Sequence, residues 1–466
     1  MRASPLQPPS ANDQTAHRGL TRRRFLKSST LGAASLAAAP ALGAAAAGRP
    51  PNFLFILVDQ HGLHALSSHG CTDVHTPNLD RLVRRGTTFM ESHSTNPVCS
   101  PARSSLFTGR MPVETGVITN TRPIHPSRPN SGQWLGENGY DCVYAGKWHL
   151  PGGRPTRIPG FRVLPSGGGQ GDMVDTLVSR ASAGYLLDRK GDKPFFLVSS
   201  LLQPHDICYW AIMNRTLVPP DLPFGRLRET LPGLPPNNRV RPEAPAKLDR
   251  IKGPDFSDEQ WRYYRYIYYR QVEMLDADVG RILDALEESG HADNTVVIFT
   301  ADHGEGCGRH SHVQKWYPYE EAVKVPLIVS WPGRIRENHR DETHLVSGLD
   351  VISTMCDYAG VKPPQGVHGR SLRPLLENRP VEWREFVVAE THIIGRMLRT
   401  DRYKYVKYED DPVEQLFDMK NDPWETKNLY REARLANVLT DHRRMLTAWQ
   451  DRMDVIEPTR VGHRYY

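Results

Sequence analysis

Five consecutive residues, Cys99-Ser100-Pro101-Ala102-Arg103, put a nucleophile, a helix start and a cation within about one turn of chain. Proline suits the first turn of a helix, where its missing N–H costs nothing, so Cys99 is expected at or beside a helix N-terminus. The free backbone N–H groups there favour an anion, and Arg103, one turn on, can reach the same anion. A reactive group, an anion-binding helix end and an arginine suit sulfuryl or phosphoryl transfer. A buried structural cysteine ahead of an ordinary helix fits the same five residues, so the segment alone leaves both readings open. Two more polar clusters, Asp59-Gln60 and Asp302-His303-Gly304, each follow an apolar run. Aspartates also cap helices and open turns. Two such clusters offering carboxylate, amide and imidazole nevertheless favour a divalent metal site.

These residues need a scaffold that brings distant segments together. Near-continuous apolar runs at 53–58, 142–145, 195–201, 295–300 and 325–330 read as buried strands. Helical patterns lie between them, at Pro77 to Arg85 and Asp258 to Glu288. Buried strands alternating with helices predict an α/β fold, a mostly parallel sheet covered on both faces. Ligands of such sheets bind outside the carboxyl ends of the strands, where the two acidic clusters can meet. The Pro-rich stretch from Pro219 to Pro254 reads as an elaborated surface loop near the substrate mouth. Short alternating segments such as Arg402 to Tyr408, then a charged helical tail from Glu432 to Arg452, indicate a small α+β C-terminal domain. The expected organisation is a leader at 1–47, a catalytic domain at 48–378 and the C-terminal domain at 379–466.

The formal charge of +6 invites a nucleic-acid reading until the charges are located. Residues 1 to 50 hold seven Lys or Arg against Asp13 alone, and the remainder carries 52 basic and 52 acidic residues. A neutral body gives no electrostatic reason to bind polyanions, so no nucleic-acid partner is expected. Thr21-Arg22-Arg23-Arg24-Phe25-Leu26-Lys27 precedes an Ala-rich run from Leu31 to Ala47. Basic, then weakly apolar, then small residues is the order of a signal peptide. The segment resembles a twin-arginine signal, which implies the twin-arginine translocation machinery as partner and a periplasmic or extracellular bacterial location. Six cysteines at wide spacings give no disulfide framework and no zinc pair, and only Cys99 stands out.

Cys99 to Arg103, continuing through Ser105-Leu106-Phe107-Thr108-Gly109, resembles the sulfatase signature. Four further blocks resemble the same family in the same order: Thr76-Pro77-Asn78-Leu79-Asp80, Gly146-Lys147-Trp148-His149, Pro204-His205, and Asp302-His303-Gly304 with His310 and Lys315. Asp422-Pro423 and Asn428-Leu429 match its C-terminal stretch. The resemblance spans the chain beyond the leader and implies the alkaline-phosphatase-like fold. It also implies oxidation of Cys99 to formylglycine (3-oxoalanine) by a formylglycine-generating enzyme. One divalent metal would be held by Asp59, Gln60, modified Cys99, Asp302 and His303. Gln60 stands where many members have a second aspartate. Calcium is the ion implied first, while an imidazole ligand suits manganese or zinc better and magnesium stays open.

In the roles the family implies, Arg103, Lys147 and Lys315 neutralise the sulfuryl oxygens, and His205 protonates the leaving alcohol. His149 hydrogen-bonds the hydrated aldehyde. His310 and His392 are candidate substrate contacts. The expected activity is hydrolysis of a sulfate ester on a glycan or small molecule. Two alternatives are a phosphonate or phosphate ester hydrolase of the same superfamily and an inactive sulfated-glycan-binding protein.

Overall fold

The computed structural model describes residues 49–151, 156–167, 169–209, 225–251, 253–391 and 395–459. The leader and His392 lie outside the described residues. In chain order the strands are β1 (Asn52–Asp59), β2 (Gly86–Phe89), β3 (Ser92–His93), β4 (Asp141–Gly146), β5 (Arg162–Val163), β6 (Phe195–Pro204), β7 (Thr295–Ala301), β8 (Leu327–Ser330), β9 (His339–Asp341), β10 (Val346–Ser347), β11 (Phe386–Thr391), β12 (Gly395–Thr400), β13 (Tyr403–Tyr408) and β14 (Gln415–Asp418).

Eight strands form the main sheet in the order β5-β4-β6-β1-β7-β8-β2-β9. The five from β5 to β7 are mutually parallel, and β8 runs antiparallel to both β7 and β2. The apolar runs are explained by burial on both faces. Along β1, Phe53, Phe55 and Leu57 enter one core cluster while Leu54, Ile56 and Val58 enter the other. Each such side chain contributes roughly 1.5–3 kcal/mol of burial, so neither face of β1 tolerates a polar residue between Asn52 and Asp59. Helices Gly171–Asp188 and Asp258–Glu288 cover one face through Val174, Val178, Leu275 and Val279. Helices α1 (Pro77–Arg84) and α2 (Cys99–Thr108) lie on opposite faces, α1 by Leu79 and Leu82, α2 by Leu106 and Phe107.

The C-terminal strands β11 to β14 make a four-stranded antiparallel meander. Helix Ala436–Gln450 packs Leu439, Leu446 and Trp449 with Leu398, Tyr405 and Leu416 of this sheet. Ala389, Met397 and Val406 instead meet Tyr317, Tyr319 and Ala322. The alternation read in Arg402 to Tyr408 thus buries both sides, one against its own helix and one against the larger part of the molecule.

The Pro-rich stretch is anchored at buried points within its described part. Within 219–254, Asn237 and Asn238 are almost fully buried, and their side-chain amides donate to the carbonyls of Trp424 and Gly308. Glu243 pairs with Arg431 at 2.7 Å. Asparagine side chains can stand in for missing backbone partners, which lets this irregular segment tie the loop after β7 to the chain after β14.

Candidate active site

Parallel pairing in register gathers the polar residues. Val58 lies opposite Ala301 and Asp59 opposite Pro204, so Asp59, Asp302 and His205 all emerge at one edge of the sheet. Gly146 pairs with Ser200, which delivers Lys147 to the same edge. The chain turns there at Gly146 with φ +99°, and a Cβ at that position would come within 2.0 Å of the Ser200 carbonyl oxygen, so only glycine lets β4 end this way. Helix α2 points its N-terminus at the edge. Its N-cap Val98 offers no capping side chain, and every residue from Cys99 to Thr108 is buried.

The Cys99 Sγ lies 3.2 Å from His303 Nε2 and 3.7 Å from Asp59 Oδ1. His149 and His205 also interact with this sulfur. Asp59 Oδ2 accepts from Lys147 Nζ at 2.6 Å and from an Arg103 terminal nitrogen at 3.0 Å. Arg103 Nε donates to Asp302 Oδ2 at 2.8 Å, and its remaining terminal nitrogen donates to the Lys147 carbonyl and Ser200 Oγ, both at 2.9 Å. Four hydrogen bonds inside a fully buried pocket commit this guanidinium to the two aspartates and to the strand end. Arg103 thereby braces both aspartates, a role that its spacing from Cys99 did not indicate.

Asp59, Cys99, Asp302 and His303 place one ligand atom each within 4.8 Å of the others, and all four residues are buried. The donor chemistry fits a dication. His303 Nδ1 lies 2.9 Å from the Gly304 carbonyl, to which it can only donate, so in the neutral ring that binds a metal Nε2 presents its lone pair to the cluster. The Gln60 side chain is held differently. Its Oε1 accepts from Lys315 Nζ at 2.5 Å and its Nε2 donates to Glu305 Oε2 at 2.5 Å, while its backbone N–H donates to Asp302 Oδ1 at 3.1 Å. Gln60 thus borders the cluster with its amide engaged at both ends.

Electrostatics divide the two aspartates. Burial alone would raise Asp59, but Lys147, His205, Arg103 and His303 outweigh it and hold the carboxyl well below its usual range. Asp302 is pushed up to about 6 by burial and by Asp59. Burial, then Lys147 and Lys315, lowers His205 to about 4, which leaves a neutral imidazole at pH 7. Burial and Asp59 raise the Cys99 thiol, yet Lys147, Lys315 and His303 prevail and lower it well below the ordinary thiol range. The concentration of cations beside a nucleophile position suits an anionic ester.

His310 is corrected. Its Nδ1 lies 2.9 Å from Glu321 Oε1, its Nε2 lies 3.2 Å from the Glu425 carbonyl, and its ring stacks on Tyr319. With 1% exposure and both nitrogens engaged, it ties the loop after β7 to the C-terminal part and is unavailable to a substrate. Residues that the sequence did not single out complete the site. Ser200 receives Arg103, Asn120 Oδ1 accepts the Ser100 N–H at 3.0 Å, and Cys208 Sγ reaches Gln60 Oε1 at 3.1 Å. Only Glu305 had a signal, its place directly after Asp302-His303-Gly304.

Comparisons with known proteins agree with this architecture. The protein-family description "Sulfatase" matches residues 51–361, and "N-sulphoglucosamine sulphohydrolase, C-terminal" matches residues 308–452. The Delta 4,5-hexuronate-2-O-sulfatase of Bacteroides thetaiotaomicron is 30% identical over 440 residues, covering 86% of this chain and 89% of its own. The crystal structure of a putative sulfatase from the same organism superposes with a TM-score of 0.79 at 26% identity, over 89% of this chain and 96% of that one. A solved 2-O GAG sulfatase gives a TM-score of 0.77 at 27% identity, over 86% and 92%.

Proposed function

The chain belongs to the sulfatase family and is a sulfuric ester hydrolase, and from that premise we propose that it releases sulfate from a carbohydrate by means of formylglycine made from Cys99. The observation that carries the reading is the buried meeting of Cys99 with Asp59, Asp302 and His303 at the N-terminus of α2. Asp59, Asp302, His303 and the modified Cys99 would hold one divalent ion, for which calcium is the first candidate, while Gln60, expected among the ligands, borders the site with its amide oxygen on Lys315. When bound, the ion would polarise the ester oxygens and favour the ionised form of the nucleophile. The hydrated aldehyde would supply two hydroxyls, one to accept the sulfuryl group and one to expel it, a release that a thiol lacks.

The protein's own side chains do the rest. Lys147 and Lys315 would neutralise the sulfuryl oxygens, and their placement beside Cys99 supports that role. His205 is neutral at pH 7 in the free protein; binding of an anionic ester beside it would raise its proton affinity, so that it would take up a proton from solvent with the substrate and then pass it to the leaving alcohol oxygen. His149 stands beside Cys99 to orient the nucleophilic hydroxyl. Arg103 holds Asp59 and Asp302 in place throughout.

A curated relative and a solved structure are named as 2-O sulfatases, so 2-O-sulfated uronosides head the substrate panel. Purified, modified enzyme is expected to release inorganic sulfate from at least one sulfated mono- or oligosaccharide. It should do so with a higher kcat/KM than it shows on phosphonate monoesters. Faster phosphonate turnover would move the chain to the phosphonate-hydrolase reading, and no turnover on any ester would leave the binding-protein reading.

We also propose export to the periplasm or beyond by the twin-arginine route, after or together with modification by a formylglycine-generating enzyme. Replacing Arg22 and Arg23 together with lysine is expected to trap precursor in the cytoplasm. Cell fractionation that shows unchanged export would remove the proposal.

A further inference from the structure

Glu305 is fully buried and receives four hydrogen bonds, none of them from a cation. Its Oε1 accepts from Tyr264 Oη at 2.6 Å, the Gln314 N–H at 2.7 Å and the Cys307 N–H at 3.1 Å. Its Oε2 accepts from Gln60 Nε2 at 2.5 Å. On its other side the Gln60 amide meets Lys315 Nζ at 2.5 Å and the Cys208 thiol at 3.1 Å. An amide has two ends of nearly equal size, and its orientation follows from what its neighbours can give and take. Lys315 carries only donors, and so requires the oxygen. Two backbone N–H groups occupy Oε1 of Glu305, so the carboxylate faces Gln60 with an acceptor and requires the amide nitrogen. Both demands are met by one orientation only.

Resting on the proposed catalytic role of Lys315, we propose that Glu305 is a positioning residue that fixes the Gln60 amide and, through its oxygen, the Lys315 ammonium beside Cys99. The near-isosteric Glu305→Gln keeps Oε1 for Tyr264 and the two backbone donors and places an NH2 group where Oε2 was. That group opposes Gln60 Nε2, donor against donor. Rotation of the Gln60 amide relieves this conflict and creates another, because its NH2 then faces Lys315 Nζ. The exchanged pair, Gln60→Glu with Glu305→Gln, restores complementarity at both ends. Glu at 60 accepts from the new amide and from Lys315.

The test compares wild type, Glu305→Gln and the exchanged pair on the best ester of the panel. Melting temperature and the binding of inorganic sulfate by calorimetry are measured alongside. We expect Glu305→Gln to lower kcat by about 30-fold or more with KM changed less, and to weaken sulfate binding about tenfold. The exchanged pair is expected to recover most of both. A merely structural glutamate would move the melting temperature and would not be rescued by the exchange. Activity and sulfate binding of Glu305→Gln within twofold of wild type would overturn the proposal, as would an exchanged pair no better than the single variant. If Glu305→Gln alone does not fold, the exchanged pair decides: folded protein that binds sulfate supports the proposal, and failure to recover either overturns it. Sulfate binding needs no turnover, so a wild type inactive on every ester defeats the functional reading without obscuring this one.

Discussion

Replacing Cys99 with alanine is expected to lower sulfate release by about 10⁴-fold or more while the fold persists. The side chain is 1% exposed and its sulfur touches His303 and Asp59. Its loss removes a small group from a mostly polar pocket, a change of about 1 kcal/mol in stability. The effect on catalysis is far larger because, among the described residues, Cys99 is the nucleophile on which the cations converge. Lys147 and Lys315 act on Cys99 directly, and His149, His205 and His303 crowd the same sulfur. Serine at 99 is expected to be almost as damaging in a host whose modifying enzyme oxidises only cysteine. It restores one hydroxyl and lacks the second that expels sulfate. Initial rates of sulfate release, melting temperature and mass spectrometry of the peptide spanning Cys99 decide the matter. A fully active wild type that carries only unmodified thiol would sink the formylglycine mechanism, and an active alanine variant would sink the site.

The next largest effect is expected from Asp59→Asn and Asp302→Asn, each of which removes a formal charge and almost no volume. Both should lose bound metal and at least about 10³-fold in activity. Their stabilities should differ in a way that geometry ranks. Asp59 offsets two permanent cations, Lys147 at 2.6 Å and Arg103 at 3.0 Å, whereas Asp302 offsets one, Arg103 at 2.8 Å, with the His303 imidazole farther off at 3.6 Å. Removing one partner of a buried ion pair costs roughly 3–5 kcal/mol, so Asp59→Asn is expected to show the lower melting temperature. Elemental analysis of purified protein gives metal per chain. Activity of chelated wild type reconstituted with calcium, magnesium, manganese or zinc identifies the ion. Undiminished activity in metal-free wild type would refute the proposed centre, and equal melting temperatures would refute the charge ranking.

Strand and helix existence was readable because the scaffold is buried on both faces. The run Phe53 to Val58 has no polar break, and the structure explains this by splitting its side chains between two cores. The direction of pairing was not readable from such runs. The apolar segment at 325–330 reads like its parallel neighbours, yet β8 is antiparallel to β7, because a residue buried on both faces carries no mark of its partner's direction. Helix limits shifted for ordinary reasons. The tail expected from Glu432 begins its α-helix at Ala436, after a tighter turn at Ala433–Leu435.

By itself the sequence determined which residues could be reactive. Cys99 before Pro101, the acidic clusters at 59–60 and 302–303, and Lys147, His149, His205 and Lys315 on family motifs were all named, and these residues converge at one sheet edge. Residue type and local spacing suffice for that, because a strand end or helix start is a short-range property. Only the tertiary structure decided what each side chain spends its hydrogen bonds on. Arg103 reads as an anion ligand from its spacing, but Asp59 and Asp302, 44 and 199 residues away, take its donors. His310 sits on a motif position beside the metal strand, but Glu321 and Glu425 close around both of its nitrogens. Glu305 and Ser200 gain their places from partners 245 and 97 residues distant. A buried polar group must be satisfied by whatever the fold sets beside it, and that neighbour is a long-range consequence of packing that no local pattern encodes.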